Sequence, residues 1–255
     1  MDQIRLNKFL AERLGLSRRE ADDAIQSGKV TIDGKKAELG SRLDLSIDKK
    51  PKVCYNNIIV PFETDFLYLA FNKPVGYVCS RRAQGSAPTL YEILPKEYQK
   101  LKTVGRLDKD SSGLILLTND GDFAFKMTHP KFQKEKTYEV SLDRPLEPLH
   151  QQMISDYGVM LDDGPSRFAI IKDSQEIPSE DRILGRAALS VSEEGISDYL
   201  VILREGRNRQ IRRTFAALGY RVERLHRTTF GPFSLSGLEP GKFVEIPSSQ
   251  IKKIM

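Results

Sequence analysis

The sequence predicts an α+β protein in which a small helix–helix–hairpin unit precedes a larger central sheet, mixed and largely antiparallel, flanked by helices. Its 255 residues allow one or two domains, at about 150 residues each. The first 45 residues read as two helices and a hairpin, whereas strand and helix patterns alternate irregularly from Leu67 onwards. Because the pattern has no regular βαβ rhythm, we do not expect a doubly wound parallel sheet.

The N-terminal unit has clear start and stop signals. Apolar residues recur at helical spacing through IRLNKFLAERLGL, and Gly15 is a suitable residue for the end of that helix. Ser17 and Glu20 have the spacing of a capping box, which predicts the start of a second helix. Asp33-Gly34, between two β-rich runs, predicts a hairpin turn.

The larger part mixes strand and helix patterns. GLILLT is a short continuous apolar run, typical of a strand buried on both faces. EKTYEVSL alternates with a period of two, which predicts another strand. Helices are predicted in TLYEILPKEYQ, in DGDFAFKMTHP up to Pro130, and in NRQIRRTFAALGY, where Ile211, Phe215 and Leu218 form an apolar stripe.

The composition favours a cytoplasmic protein that does not enter membranes. No apolar run reaches the roughly 18 residues that a transmembrane helix needs, and the N-terminus lacks the apolar stretch of a signal peptide. Two cysteines, Cys54 and Cys79, fit a reducing compartment and cannot form a disulfide framework. We expect a monomer.

The positive charge is concentrated in one segment. The chain has a formal net charge of +5, and residues 204–227 alone hold eight arginines and two glutamates. Arginine pairs with phosphate through two parallel hydrogen bonds and stacks on bases, so a polyanion, foremost a nucleic acid, is the expected partner. The alternative is a solvated basic helix face.

Chemical motifs are few. The sequence contains no phosphate-binding loop, no dinucleotide-binding fingerprint, no nucleophile elbow and no zinc-binding helix. What remains is the segment GRLDKDSSG, in which Arg106 and Lys109 flank Asp108 just before a buried strand. Nearby cations keep a carboxylate ionised, as a nucleophile requires. The alternative that the residues alone favour is that Asp108 is a turn residue with Arg106 as its salt-bridge partner.

The segment LNKFLAERLGLSRREADDAIQSGKVTIDGKKAELGSRL resembles the small RNA-binding domain first described in ribosomal protein S-four. The resemblance covers about residues 4–43, and short β-like runs extend the unit to about residue 62. Domains of this kind place the second helix and the hairpin against structured RNA, so Arg18, Arg19 and Lys29 are expected RNA contacts. A helical cap on the larger domain is the alternative.

The remainder, residues 63–255, resembles the RsuA/RluB family of ribosomal RNA pseudouridine synthases. The match runs through LAFNKPVGYVCS, GRLDKDSSGLILLTNDGDFAFKMTHP, KEKTYEV, GVMLDDGP, REGRNRQIRR and LHRTTFGPFSL, in the family's order. The resemblance implies conversion of a uridine in ribosomal RNA to pseudouridine, by breaking the C1′–N1 bond and joining C1′ to C5. It also implies that the reaction needs no cofactor or metal.

The same resemblance assigns the catalytic residues. Asp108 is the expected nucleophile, whether it attacks ribose C1′ or uracil C6 or promotes a glycal route. Tyr138 is expected to stack on the uracil and take part in proton transfer. The alternative is that it is a core tyrosine, packed on the same strand face as Val140 and Leu142. Arg212 is expected to pair with Asp108, and Arg213 is its rival because adjacent helical residues point about 100° apart.

The remaining expectations concern RNA contacts and substrate. Arg106 is expected to fill the space that a flipped uridine leaves in the RNA. Further expected contacts are Lys73, Arg207, Asn208, Arg209 and Arg213. Alternatives are a non-catalytic RNA-binding or ribosome-assembly factor on the same fold, or another RNA-modifying enzyme such as a methyltransferase. The sequence leaves open which uridine and which ribosomal subunit is modified, and it assigns no role to the polar segment 174–194.

Overall fold

The computed structural model describes residues 3–46, 48–82, 84–171, 197–235 and 237–254. The segment 174–194 therefore lies outside the described residues. In the part of the chain that is described, no helix is long and apolar enough to cross a membrane.

The N-terminal unit packs two helices on small sheets. Its elements are β1 (Gln3–Arg5), α1 (Leu6–Leu14), α2 (Arg18–Gln26), β2 (Val30–Ile32), β3 (Lys35–Lys36), β4 (Arg42–Asp44), β5 (Val53–Tyr55) and β6 (Ile58–Ile59). Strands β1 and β4 form a pair, and the other four form an antiparallel sheet in the order β3-β2-β5-β6. A hydrophobic cluster of its own, from Leu6 to Val60, fills this unit.

The predicted local signals are confirmed there. Ser17 accepts a hydrogen bond from the Glu20 amide at 3.1 Å, and Glu20 accepts one from the Ser17 amide at 2.6 Å, so the capping box is complete. Asp33 and Gly34 adopt φ values of 49° and 79°, as a two-residue hairpin turn between β2 and β3 requires.

The larger part is built on a nine-stranded sheet. Its elements are β7 (Tyr68–Lys73), β8 (Lys102–Val104), β9 (Ser112–Thr118), α3 (Gly121–Thr128), β10 (Lys136–Leu142), α4 (Pro148–Gln152), β11 (Val159–Leu161), β12 (Gly164–Ser166), β13 (Ala169–Ile171), β14 (Ser197–Leu203), α5 (Gln210–Ala217), β15 (Val222–Phe230), β16 (Phe233–Ser234), β17 (Phe243–Glu245) and α6 (Ser248–Ile254). The main strand order is β13-β14-β10-β15-β9-β7-β17, with β16 added to β15 and β8 to β9. Only the β15–β9 pairing is parallel among these described strands, so the predicted mixed, largely antiparallel sheet is confirmed.

Helices cover both faces of this sheet. Ile211 and Phe215 of α5 join the hydrophobic cluster on one face, as the predicted stripe requires. Phe123 of α3 and Ile251 of α6 belong to the cluster on the other face. Strand β9 is buried on both faces, as its continuous apolar run indicates, so the loop that precedes it is anchored in the centre of the molecule.

One predicted helix is wrong in type. TLYEILPKEYQ forms two short 3-10 helices, Leu90–Ile93 and Lys96–Tyr98, and not one α-helix. Leu94, which separates them, is extended with φ −88° and ψ 142°. Proline disfavours the α conformation in the residue before it, so Pro95 breaks the helical run at this position.

Candidate active site

A cleft opens where the loop before β9, strand β10 and the start of α5 meet. It encloses about 290 Å³, and Asp108, Tyr138 and Arg209 are among its lining residues. Its walls carry seven lysine or arginine residues and two carboxylates: Arg106, Lys134, Lys136, Arg204, Arg207, Arg209 and Arg227 against Asp108 and Glu205. The cleft therefore favours a negatively charged ligand.

Buried hydrogen bonds hold the loop that carries Asp108 in place. Lys73 has no exposed surface, and its Nζ donates hydrogen bonds to the carbonyl oxygens of Ser111 at 2.7 Å and Pro74 at 2.9 Å. The Leu107 amide donates to Cys79 Sγ at 3.3 Å. Burial lowers the pKa of Lys73 to about 8. This side chain is therefore enclosed by the protein and holds the loop, and the RNA contact expected for it stays a prediction.

Asp110, two residues beyond Asp108, binds two arginines at once. Arg209 donates to both Asp110 carboxylate oxygens at 2.9 Å, and these hydrogen bonds hold the pKa of Asp110 below its usual range. Arg212 Nε lies 3.3 Å from Asp110 Oδ2, and its Nη2 donates to the Asp110 carbonyl oxygen at 2.8 Å. The pair expected between Arg212 and Asp108 is not formed in this structure: Asp110 takes its place.

Asp108 remains accessible beside this network. Its side chain is 31% exposed, and its ion-pair partner among the described residues is Arg209, with 3.7 Å between Nη1 and Oδ2. At that distance the contact is too long for a hydrogen bond. Because Asp110 engages Arg209 and Arg212, the Asp108 carboxylate keeps its oxygens available to a ligand in the cleft.

Arg213, the alternative to Arg212, binds Asp163 and not the loop of Asp108. Arg213 donates to Asp163 at 2.7 and 3.1 Å, on the turn between β11 and β12. Arg207 donates to the carbonyl oxygens of Asp163, Gly164 and Pro165 at 2.8 to 3.1 Å. Arg207 thus connects this turn to the segment before α5, and its expected RNA contact stays a prediction. Of the two adjacent arginines, Arg212 faces the Asp108 loop.

The other predicted RNA contacts lie on the surface. Arg106 and Asn208 are exposed at the cleft, with Arg209 between Asn208 and α5. Arg209 adopts a left-handed φ of 46° at the helix start, which turns its side chain back to Asp110. Exposed residues on the N-terminal unit are Arg18, Arg19 and Lys29.

Tyr138 stands in the cleft wall opposite a residue that the sequence patterns did not single out. Tyr138 on β10 is paired in register with Arg227 on β15, and a register shift follows between Tyr138 and Thr137. The shift brings Arg227, Lys136 and Phe230 to the same cleft. An arginine within an otherwise β-patterned strand, LHRTTF, was the signal that could have identified Arg227.

The lowered pKa of Lys136 predicts a change in stability with pH. Burial lowers its pKa to about 8, from the ordinary 10.5. Below pH 8 both folded and unfolded chains carry the proton, whereas between pH 8 and 10.5 the unfolded chain binds more protons than the folded one. The folded state therefore gains stability over that interval. Denaturant unfolding at pH 7 and pH 10 should show the wild type gaining stability relative to Lys136→Met. An equal difference at both pH values would contradict this assignment.

Among the residues that the structure describes, no group of three or more histidine, cysteine, aspartate or glutamate side chains is arranged to hold a metal ion. The acidic groups of the cleft instead face arginines. The chemistry available on these walls is that of a carboxylate, a phenol, an ammonium group and guanidinium groups.

Two family models match the chain. Residues 67–217 match the family model described as RNA pseudouridylate synthase. The chain belongs to this family. Residues 4–46 match the S4 domain, so the resemblance seen in the N-terminal unit is confirmed.

Relatives in this family match the chain over nearly its full length. The ribosomal large subunit pseudouridine synthase B of Escherichia coli (strain K12) is 35% identical over 251 residues, which cover 96% of this chain and 80% of the relative. The ribosomal small subunit pseudouridine synthase A of Pasteurella multocida is 34% identical over 252 residues, covering 97% and 98%. A crystal structure of a pseudouridylate synthase superposes with a TM-score of 0.63 at 30% identity and covers 99% and 100% of the two chains.

Proposed function

We propose that this pseudouridine synthase isomerises one uridine of ribosomal RNA, with Asp108 as its nucleophile. The observation that carries the proposal is the accessible Asp108 carboxylate, which opens into a cationic cleft on a loop fixed by buried hydrogen bonds. Relatives named for either ribosomal subunit match the chain equally well, which supports ribosomal RNA as the substrate class without favouring one subunit.

Four residues of the cleft, and Arg212 beside it, have roles in this proposal. Asp108 supplies the carboxylate, and Tyr138, in the wall beside it, stacks on the extruded uracil. Arg209 is the cation that faces Asp108, and Arg212 is a positioning residue that acts through Asp110. Arg106, exposed at the mouth, occupies the space that the flipped nucleotide leaves.

The division of labour follows the two units. We propose that residues 1–62 recruit the RNA, through Arg18, Arg19 and Lys29, and that residues 63–255 carry out the reaction. Their junction includes Lys102, which donates to the Leu16 carbonyl oxygen at 2.6 Å. We further propose that the enzyme acts as a monomer in the cytoplasm, on ribosomal RNA or on an assembling ribosomal subunit.

Release of tritium tests the activity even though the target uridine is not identified. Transcripts of large- and small-subunit ribosomal RNA are prepared with tritium at C5 of every uridine, because pseudouridine formation exchanges that atom with water. The proposal predicts release from one of the two transcripts. A chain that binds RNA but releases tritium from neither would be the non-catalytic assembly factor that the sequence also allowed.

The salt dependence of RNA binding measures the size of the contact. If roughly six phosphates are neutralised by the cleft rim and the N-terminal unit, log Kd plotted against log salt should have a slope of magnitude about 4 to 5. The measurement is a titration of labelled ribosomal RNA with the full chain at several salt concentrations. A slope of magnitude near 1 would contradict an extended contact.

A further inference from the structure

Arg227 is a buried cation without an acidic partner. Its side chain lines the cleft, yet only 2% of the residue is exposed. Its Nε donates to the Leu114 carbonyl oxygen at 2.7 Å, and its Nη2 has no hydrogen-bond partner among the described residues. No carboxylate of those residues forms an ion pair with it. A buried charge is normally paired, so this guanidinium is incompletely compensated in the free protein.

A second cation lies against the same aromatic ring. Arg227 Cζ is 4.9 Å and Lys136 Nζ is 5.4 Å from the centroid of Phe230. Lys136 donates to the carbonyl oxygens of Glu205 at 3.2 Å and Lys134 at 3.4 Å. Main-chain oxygens and a ring face compensate part of the charge. The floor of the cleft therefore presents hydrogen-bond donors and positive potential to an oxygen that carries negative charge.

The burial of Arg227 indicates whether the oxygen bound at the floor belongs to a phosphate or to a base. Phosphates are strongly hydrated, and the cations suited to them lie at the rim, where the side chains of Arg204 and Arg209 are 70% and 43% exposed. Arg227 instead lies at the floor, paired in register with Tyr138. A base that stacks on Tyr138 brings its carbonyl oxygens to this floor, while the sugar-phosphate backbone of the RNA stays outside the cleft.

We infer that Arg227, with Lys136 beside it, binds a carbonyl oxygen of the target uracil and stabilises the negative charge that forms on it during the reaction. This inference rests on the proposed function. It adds a contact with the base, for specificity and catalysis, to a site whose nucleophile is Asp108.

The electron balance of the reaction shows where negative charge forms on the base. When the C1′–N1 bond breaks, its electron pair passes to the uracil ring and is delocalised onto a carbonyl oxygen. C5 then bonds to C1′, the C5 proton leaves to a base, and N1 gains a proton, so the net change is an isomerisation. If Asp108 adds first to C6, the electrons of the C5–C6 double bond move onto the carbonyl oxygen at C4. Any bond that Asp108 forms, to C6 or to C1′, breaks again before the product leaves, so that the carboxylate is regenerated. Every route therefore places negative charge on a carbonyl oxygen of the uracil, which a preorganised donor stabilises.

Single-turnover kinetics test the inference. With enzyme in excess over tritium-labelled ribosomal RNA, Arg227→Gln should release tritium about 10²- to 10³-fold more slowly than wild type. Arg227→Lys should lose less, because it keeps the charge. RNA affinity and its salt dependence should stay at the wild-type values. Arg144→Gln, which removes an exposed arginine outside the cleft, is the matched control and should react at the wild-type rate.

Other outcomes overturn the inference in distinguishable ways. A loss confined to affinity, with a salt slope smaller by about 1, would assign Arg227 to a phosphate. Rates equal to that of Arg144→Gln would remove it from the reaction. A wild type that releases no tritium contradicts the proposed function itself.

A substrate variant separates a contact with the base from a structural role. In RNA made with 2-thiouridine or 4-thiouridine, sulfur replaces the carbonyl oxygen at C2 or at C4 of the base and accepts hydrogen bonds poorly. One of these substitutions should slow wild type more than it slows Arg227→Lys, as chromatography of the digested nucleosides would show. Because this comparison uses only wild type and Arg227→Lys, it tests the inference even if Arg227→Gln does not fold. Equal slowing of both enzymes would contradict the contact.

Discussion

Replacing Asp108 with asparagine is expected to abolish pseudouridine formation while RNA still binds normally. Asparagine has nearly the same shape but lacks the charge and the nucleophilic oxygen, so the loss should be on the order of 10⁴-fold or more, as for other essential nucleophiles. RNA affinity should stay near the wild-type value, because we expect the RNA phosphates to contact the cations of the rim and not this carboxylate. Tritium release and RNA binding are measured on the same preparations.

Asp110→Asn is the matched comparison, since it makes the same chemical change two residues away. Asp110 orients Arg209 and Arg212, and we do not expect it to reach a substrate itself. Its replacement should therefore lower the rate less than Asp108→Asn does. If Asp110→Asn were inactive and Asp108→Asn active, the roles of the two aspartates would have to be exchanged.

Gly113→Ala is expected to have the largest effect on stability. A Cβ at this position would lie 2.3 Å from the Arg227 carbonyl oxygen and 2.5 Å from its amide nitrogen, where β9 and β15 approach each other in parallel. Gly113 also has a φ of 108°, which side chains rarely adopt. The two central strands would have to separate, so we expect a loss of at least about 3 kcal/mol in the free energy of unfolding.

Gly76→Ala isolates the steric part of this effect. Gly76 has a similar φ of 96°, but a Cβ there would meet no atom within 4 Å. It should cost only the backbone strain, about 1 to 2 kcal/mol. Urea unfolding of the two variants gives the comparison. Equal losses would show that β9 and β15 can separate at Gly113 without cost.

Local features of this fold could be predicted because their causes are local. The capping box of Ser17 and Glu20 and the Asp33-Gly34 turn each depend on a few adjacent residues, and both form as expected. The interruption of the helix at Pro95 was not predicted, although its cause is also local.

The arrangement of the site could be predicted only in part. The resemblance placed Asp108, Tyr138 and the start of α5 in one site, and the structure brings Asp108, Tyr138 and Arg209 to one cleft. It assigned Asp108 as the partner of Arg212, whereas the structure pairs Arg212 with Asp110, because the choice between two nearby aspartates depends on the exact path of a loop. The enclosure of Lys73 and the position of Arg227 opposite Tyr138 arise from strands that are distant in sequence.

A map of pseudouridines in ribosomal RNA from cells that lack this gene is the decisive experiment for the proposed activity. We expect that one pseudouridine disappears, returns when the wild-type gene is supplied, and stays absent with Asp108→Asn. The position of that nucleotide would also identify the ribosomal subunit. An unchanged map, or restoration by Asp108→Asn, would contradict the proposal that this chain modifies ribosomal RNA through Asp108.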